Sequence, residues 1–213
     1  VLRYFDVTTP PPSRPELARP LPLRERQEVI SHRNRQQAHL ALGYMTVEMS
    51  ASDRWPLEVL AAILSGQGGR LFLELRDRQS LAYSVSAFNF NLLDGGYFAA
   101  YIATSPDKIE DAIHGIQSEL ERLQAEPVSS EELERAQRFL VGQQDIAFQK
   151  AANRAAFLAF DEAYNLGYDA HYHRADRILE VTPEDIQRVA QQYLHPENSV
   201  LSIVRPGEPN AED

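Results

Sequence analysis

The chain has 213 residues, of which 43% are hydrophobic and 24% charged, a balance typical of a folded globular protein and not of a disordered or fibrous one. It has no cysteine, which excludes disulfide scaffolds, thiolate metal sites and cysteine nucleophiles. Net charge is −10 and uneven: residues 1–60 carry 8 Lys+Arg against 7 Asp+Glu, whereas residues 61–213 carry 13 against 24, so no basic stripe is present to hold phosphates and a nucleic-acid partner is not expected.

Residues 1–26 contain Pro10, Pro11, Pro12, Pro15, Pro20 and Pro22. Fixed φ values and missing amide donors bar such a stretch from helix or central strand, so it reads as an extended arm or linker arriving from a preceding domain. One folded unit is expected over 27–204, with a polar tail at 205–213. Strands are predicted at 27–31 and 36–47, and the mostly apolar run from Gln37 to Gly43 suits a strand buried on both faces. Leu57, Leu60, Ala61 and Leu64 sit at helical spacing, with Asp53 or Ser52 as cap and Pro56 in the first turn. Gly66-Gln67-Gly68-Gly69 ends that helix, and a short second helix covers 70–79.

Two further strands, 82–92 and 96–104, are joined through Asp94-Gly95, a strong hairpin signal. Ser105-Pro106-Asp107 caps the next helix, and Ser129-Ser-Glu-Glu132 is a capping box that opens a long one to about Phe148. Helices at about 150–166 and 169–180 follow, then one capped by Thr182-Pro183-Glu-Asp185, and a last strand from Ser199 to Val204. Hairpin strands with grouped helices predict an α+β fold of two layers, an antiparallel sheet covered on one face. No apolar run approaches the about 20 residues of a membrane span, and no secretory signal leads the chain. The compartment stays open between cytoplasm and periplasm.

Most candidate chemistry dissolves on inspection. Gly66 to Arg70 lacks the Gly-Lys-Ser/Thr of a phosphate loop and has Leu71 where a dinucleotide fingerprint needs its third glycine. His171 and His173, two residues apart in helical context, do not share a face, and no acidic residue completes a metal set with them. His32, His39, His114 and His195 are isolated, and no His-x-x-Glu-His, His-Glu-x-x-His or Gly-x-Ser-x-Gly occurs. The chain is therefore expected to bind no metal. The informative stretch is Arg70-Leu-Phe-Leu-Glu-Leu-Arg76-Asp-Arg78-Gln-Ser-Leu-Ala-Tyr83-Ser-Val. Arg76 closes a short helix and Tyr83 opens a strand, so both could face a cleft. Arginine offers a rigid fork of donors for a carbonyl or carboxylate, and a tyrosine hydroxyl can stabilise a developing oxyanion. The plain structural alternative pairs Arg76 with Asp77 or Glu74 and leaves Tyr83 as half-buried core.

Taken in order, these blocks resemble the insulinase/pitrilysin-type zinc metallopeptidases, the inverzincins that include the processing-peptidase subunits. The similarity is to their C-terminal, non-zinc-binding half and covers about 27–204. Arg70-Leu-Phe-x-Glu-Leu-Arg76 with Leu81-Ala-Tyr83-Ser-Val85 is its most specific block, supported by Gln37–Gly43, Leu60–Gly69, Ser129-x-Glu-Glu-Leu and Val181-Thr-Pro-Glu-Asp-Ile. The resemblance implies the LuxS/processing-peptidase-like metallohydrolase fold and two homologous halves closing around a peptide. In it the zinc sits on the partner half, upstream in the same chain or on a separate subunit. Arg76 then holds a substrate backbone carbonyl and Tyr83 the scissile carbonyl, with Arg70, Gly68 and Gly69 supporting the chamber. Without the zinc motif the chain alone is not expected to hydrolyse peptides. The alternative the resemblance allows is a catalytically inactive interaction subunit.

Overall fold

The computed structural model describes residues 23–207. The elements in chain order are β1 (Gln27–Arg33), β2 (Ala38–Thr46), α1 (Arg54–Leu64), a π-helix (Phe72–Arg78), β3 (Ser84–Asn91), β4 (Gly96–Thr104), α2 (Ile109–Ala125), α3 (Ser130–Phe148), α4 (Ala151–Ala163), α5 (Arg174–Leu179), α6 (Pro183–Tyr193) and β5 (Ser199–Pro206). Single 3-10 turns precede α2 (Pro106–Lys108), α5 (Ala170–His173) and β5 (Pro196–Asn198). Most of the proline-rich arm and the end of the polar tail lie outside the described residues.

The five strands form one sheet in the order β1-β5-β2-β4-β3. Three ladders are antiparallel, as expected for hairpin-linked strands, but β1 runs parallel to β5, with Gln27 opposite Val200 and Arg33 opposite Pro206. The first two strands are therefore not neighbours, because β5 returns from the far end of the sequence and inserts between them. Register stacks Leu40 beside Ile102 and Ile203, and Leu42 beside Ala100 and Leu201. These side chains, with Tyr44 and Phe98, point to one face and are buried beneath α1, α2, α3, α5 and α6. Each fully buried Leu or Ile there contributes about 1.5–3 kcal/mol relative to an exposed position.

The other face of β2 departs from the expectation of burial on both sides. Its residues alternate between buried and half-buried, with His39, Ala41, Gly43 and Met45 on the open side. The described helices supply only one layer, so the second apolar face stays partly in water. Phe88, Phe90 and Tyr97 gather on it, with Phe90 and Tyr97 stacked at 5.4 Å.

Both capping boxes form: Ser129 with Glu132 opens α3, and Thr182 with Asp185 opens α6. Two expected caps do not. Asp53 stands at the start of α1 but makes no cap bond; its carboxylate accepts from Arg188 (3.0 and 3.2 Å) and from the Tyr193 hydroxyl (2.7 Å), tying α6 to α1. Ser105 likewise makes no cap bond.

Candidate functional site

The glycine turn after α1 is a helix end, as its composition predicts. Gly66 has φ +77°, and the Gly69 amide donates to the Gly66 carbonyl at 3.0 Å. A Cβ on Gly69 would lie 2.1 Å from the Ser65 carbonyl oxygen, so the chain can turn back over α1 only with glycine there. At Gly68 the space is ordinary, with Arg135 Nε 3.5 Å from an added Cβ. Arg70, next in sequence, is fully engaged by α3: Nε and a terminal nitrogen donate to the two Glu132 carboxylate oxygens at 2.7 and 3.0 Å. Both side chains are largely buried, and the Arg70 hydrogen bond holds the Glu132 carboxyl at about 2 against the burial that opposes ionisation, with help from Ser129. Arg70 thus clamps the glycine turn to the capping box of α3.

The short second helix is wider than an α-helix. Over Phe72–Arg78 it winds as a π-helix, closed by a Gln79 amide to Glu74 carbonyl bond of 3.1 Å. Such segments are rare and occur frequently at functional sites. Leu75, fully buried, anchors it by seating over Gly115 of α2. Ser80, at φ +52°, then reverses the chain, and the Leu81 amide returns to the Leu75 carbonyl at 2.7 Å. This reversal delivers Tyr83 to the end of β3, where its amide bonds the Ala103 carbonyl at 2.9 Å.

Arg76 and Tyr83 therefore flank one reversal, and neither follows the plain structural alternative. Arg76 is exposed and makes no ion pair among the described residues; its guanidinium lies over the Phe72 ring at 4.8 Å. Glu74 pairs with Arg78 instead. Tyr83 is 59% exposed, and among the described residues its hydroxyl has Ser105 Oγ as its hydrogen-bond partner, at 3.5 Å. A donor fork and a tyrosine hydroxyl are thus presented to the outside from the two sides of one chain reversal. Arg70, Gly68 and Gly69 shape the glycine turn that leads into the π-helix. Phe72 and Ser105 escape a reading of the sequence as site residues. Phe72 could have been found as the i−4 neighbour of Arg76, and Ser105 only through the β3–β4 register.

Fold and site define a class: a two-layer α+β domain that offers an Arg/Tyr turn from one sheet end. The chain belongs to the peptidase M16 inactive-domain family, whose model matches residues 1–140. It is similar to an uncharacterized zinc protease of Streptomyces coelicolor, 29% identical over 185 residues, which is 85% of this chain and 39% of that protein. A second, from Mycobacterium bovis, is 30% identical over 166 residues, 76% of this chain and 37% of that protein. A solved peptidase M16 inactive domain from Pseudomonas fluorescens superposes with a TM-score of 0.81 at 20% identity, covering 91% of this chain and 46% of that one. The chain thus spans about two fifths of the length of these curated relatives.

Zinc appears in the names of those relatives, but the described residues do not fit it. His171 Nδ1 lies 2.8 Å from Asp161, His39 Nδ1 lies 2.7 Å from the Tyr101 hydroxyl, and His173 is exposed with only Asp169 at 4.0 Å. Among the described residues no three His, Asp or Glu side chains converge on a point that could hold an ion. No described helix is long and apolar enough to cross a membrane.

Proposed function

We propose that this chain is the metal-free half of a two-half zinc peptidase, closing over a peptide presented by a zinc-bearing half in the same protein or in a partner subunit. Tyr83 donates a hydrogen bond to the scissile carbonyl as its oxygen gains charge, and Arg76 grips a backbone carbonyl of the substrate with its planar fork. Arg70, Gly68 and Gly69 hold the turn that aims them and form the adjoining chamber wall.

The observation that carries this reading is the contrast among three neighbouring arginines. Arg70 and Arg78 are each paired with a glutamate, whereas Arg76 stands exposed without an ion pair among the described residues, across the Ser80 reversal from an exposed Tyr83. The test is Tyr83→Phe in the protein joined to its zinc-bearing half. The expected result is a loss of kcat on the order of 10²-fold, as for removal of a single oxyanion donor, with unchanged melting. Unchanged kcat would remove the catalytic role of Tyr83, whereas absence of cleavage by the unsubstituted joined protein would favour an interaction subunit.

A further inference from the structure

The two edges of the sheet are finished differently. At the β3 edge the end of α1 reaches over: the Ser65 hydroxyl accepts the Ala87 amide at 2.6 Å and donates to the Ala87 carbonyl at 2.7 Å. At the other edge, β1 has β5 as its only ladder partner among the described residues. Gln27, Glu28, Val29 and Ile30 are exposed along it, Val29 at 55% and Ile30 at 41%. Lysine and proline, which commonly blunt such an edge, are both missing from this strand.

The ladder shows which backbone groups of β1 face outward. The Gly207 amide donates to the Arg33 carbonyl at 3.0 Å, so Arg33 bonds on the β5 side. Residues along a strand alternate in the direction of their N–H and C=O groups. Val29 and Ser31 therefore bond toward β5 as well, whereas Glu28, Ile30 and His32 turn their amides and carbonyls to the open edge. A bond of 2.9 Å from Arg33 Nη1 to the His32 carbonyl agrees with that direction.

We propose that β1 pairs with β1 of a second copy of this chain, antiparallel about a two-fold axis at Ile30, joining two five-stranded sheets into one. The strand is self-complementary in that register. Ile30 meets the partner's Ile30, and on either side Glu28 meets the partner's His32, each rung exchanging two backbone hydrogen bonds. Between these rungs Gln27 stands opposite the partner's Arg33, and Val29 opposite the partner's Ser31. Just outside the strand, Glu25 runs toward the partner's Arg35. No rung sets like charges together, and the two Ile30 side chains cover apolar surface that now meets water. Parallel pairing in register would instead stack Glu28 on Glu28 and Arg33 on Arg33, which is unfavourable.

β3 lies at the far end of the strand order, roughly 19 Å across the sheet from β1. Both copies therefore keep the Arg76 and Tyr83 reversal open, and the proposal does not rest on the peptidase reading.

The experiment follows the mass of the 213-residue chain by sedimentation equilibrium, in a concentration series reaching about 100 μM. The expected result is a concentration-dependent rise toward twice the 24.1 kDa of one chain. Ile30→Pro removes the central outward amide from each copy but no bond to β5, so it should weaken the dimer by about tenfold or more with the far-ultraviolet circular dichroism unchanged. Glu28→Arg should weaken it by about three- to tenfold, and adding His32→Glu, which restores opposite charges across the rung, should recover most of that loss. A chain that stays monomeric at every concentration overturns the proposal and leaves the edge to another segment. A dimer that Ile30→Pro leaves intact overturns it too, because the contact then lies elsewhere. Where Ile30→Pro disturbs the circular dichroism, the charge pair decides: equal dissociation constants for the native chain, Glu28→Arg and the double variant overturn the pairing. None of these outcomes bears on Tyr83→Phe, whose readout is kcat.

Discussion

Arg70→Met tests whether the glycine turn is held by charge. The substitution keeps an apolar stem and removes both bonds to Glu132, whose side chain is 22% exposed against 13% for Arg70. Glu132 sits at about 2 instead of its ordinary 4.5, with the Arg70 hydrogen bond as the largest cause. That gap corresponds to about 3 kcal/mol. The Ser129 bonds survive the substitution, which leaves about 2 kcal/mol as the share of Arg70, or a melting point lower by about 4–8 °C in a domain of this size. The sign with pH follows from a carboxyl depressed by folding: its stabilisation is complete above about 4.5 and is lost as pH falls toward about 2. Urea unfolding followed by circular dichroism should therefore show a gap between the two proteins that is full at neutral pH and closes in acid. A gap that is the same at both ends of that range would show that Arg70 acts by packing alone, and a negligible gap would show that the clamp contributes nothing.

Gly69→Ala forces a Cβ to within 2.1 Å of a backbone oxygen that cannot rotate away, so thermal melts should show a loss at or above the usual 1–3 kcal/mol of overpacking. Gly142→Ala, in the middle of α3 with nothing within 4 Å of the added Cβ, should instead stabilise by about 0.5–1 kcal/mol in the same assay. Tyr193→Phe removes the hydroxyl bond to Asp53 and should cost about 1.5 kcal/mol or more. Burial and that bond raise the Tyr193 pKa to about 12, so the stabilisation is complete below about 10 and is lost between there and about 12; the variant should show a flatter alkaline arm. Phe72→Leu removes the ring beneath Arg76, and a surface cation–π contact of about 0.5–1 kcal/mol translates to a KM for peptide raised about two- to fivefold, with kcat little changed.

Local rules carried furthest where both partners lie within one turn. The capping boxes of α3 and α6, the helical face of Leu57, Leu60, Ala61 and Leu64, and the hairpin between β3 and β4 all form as their residues predict. Local rules failed where a distant partner competed. Asp53 has the right position for a cap, yet Arg188 and Tyr193 of α6 claim its carboxylate. The run 70–79 has helix-forming residues, but it winds as a π-helix around a Leu75 that is seated against α2. The reading of β2 as buried on both faces mistook an apolar second face for a covered one.

The sequence by itself determined the α+β class and the family resemblance, and it singled out Arg76 and Tyr83 as candidates, because these depend on residue order and short spacing. Only the tertiary structure decided which charges remain available. Arg70 finds Glu132, 62 residues away, and Arg78 takes Glu74, so of the three neighbouring arginines Arg76 is left without an ion pair among the described residues. At the far end of β3, Arg174, brought over from α5, takes the Glu58 carboxylate of α1, 116 residues away in the chain. A guanidinium is committed or free according to which carboxylates the fold brings within about 4 Å. Packing of sheet and helices sets those distances, and spacing along the chain does not.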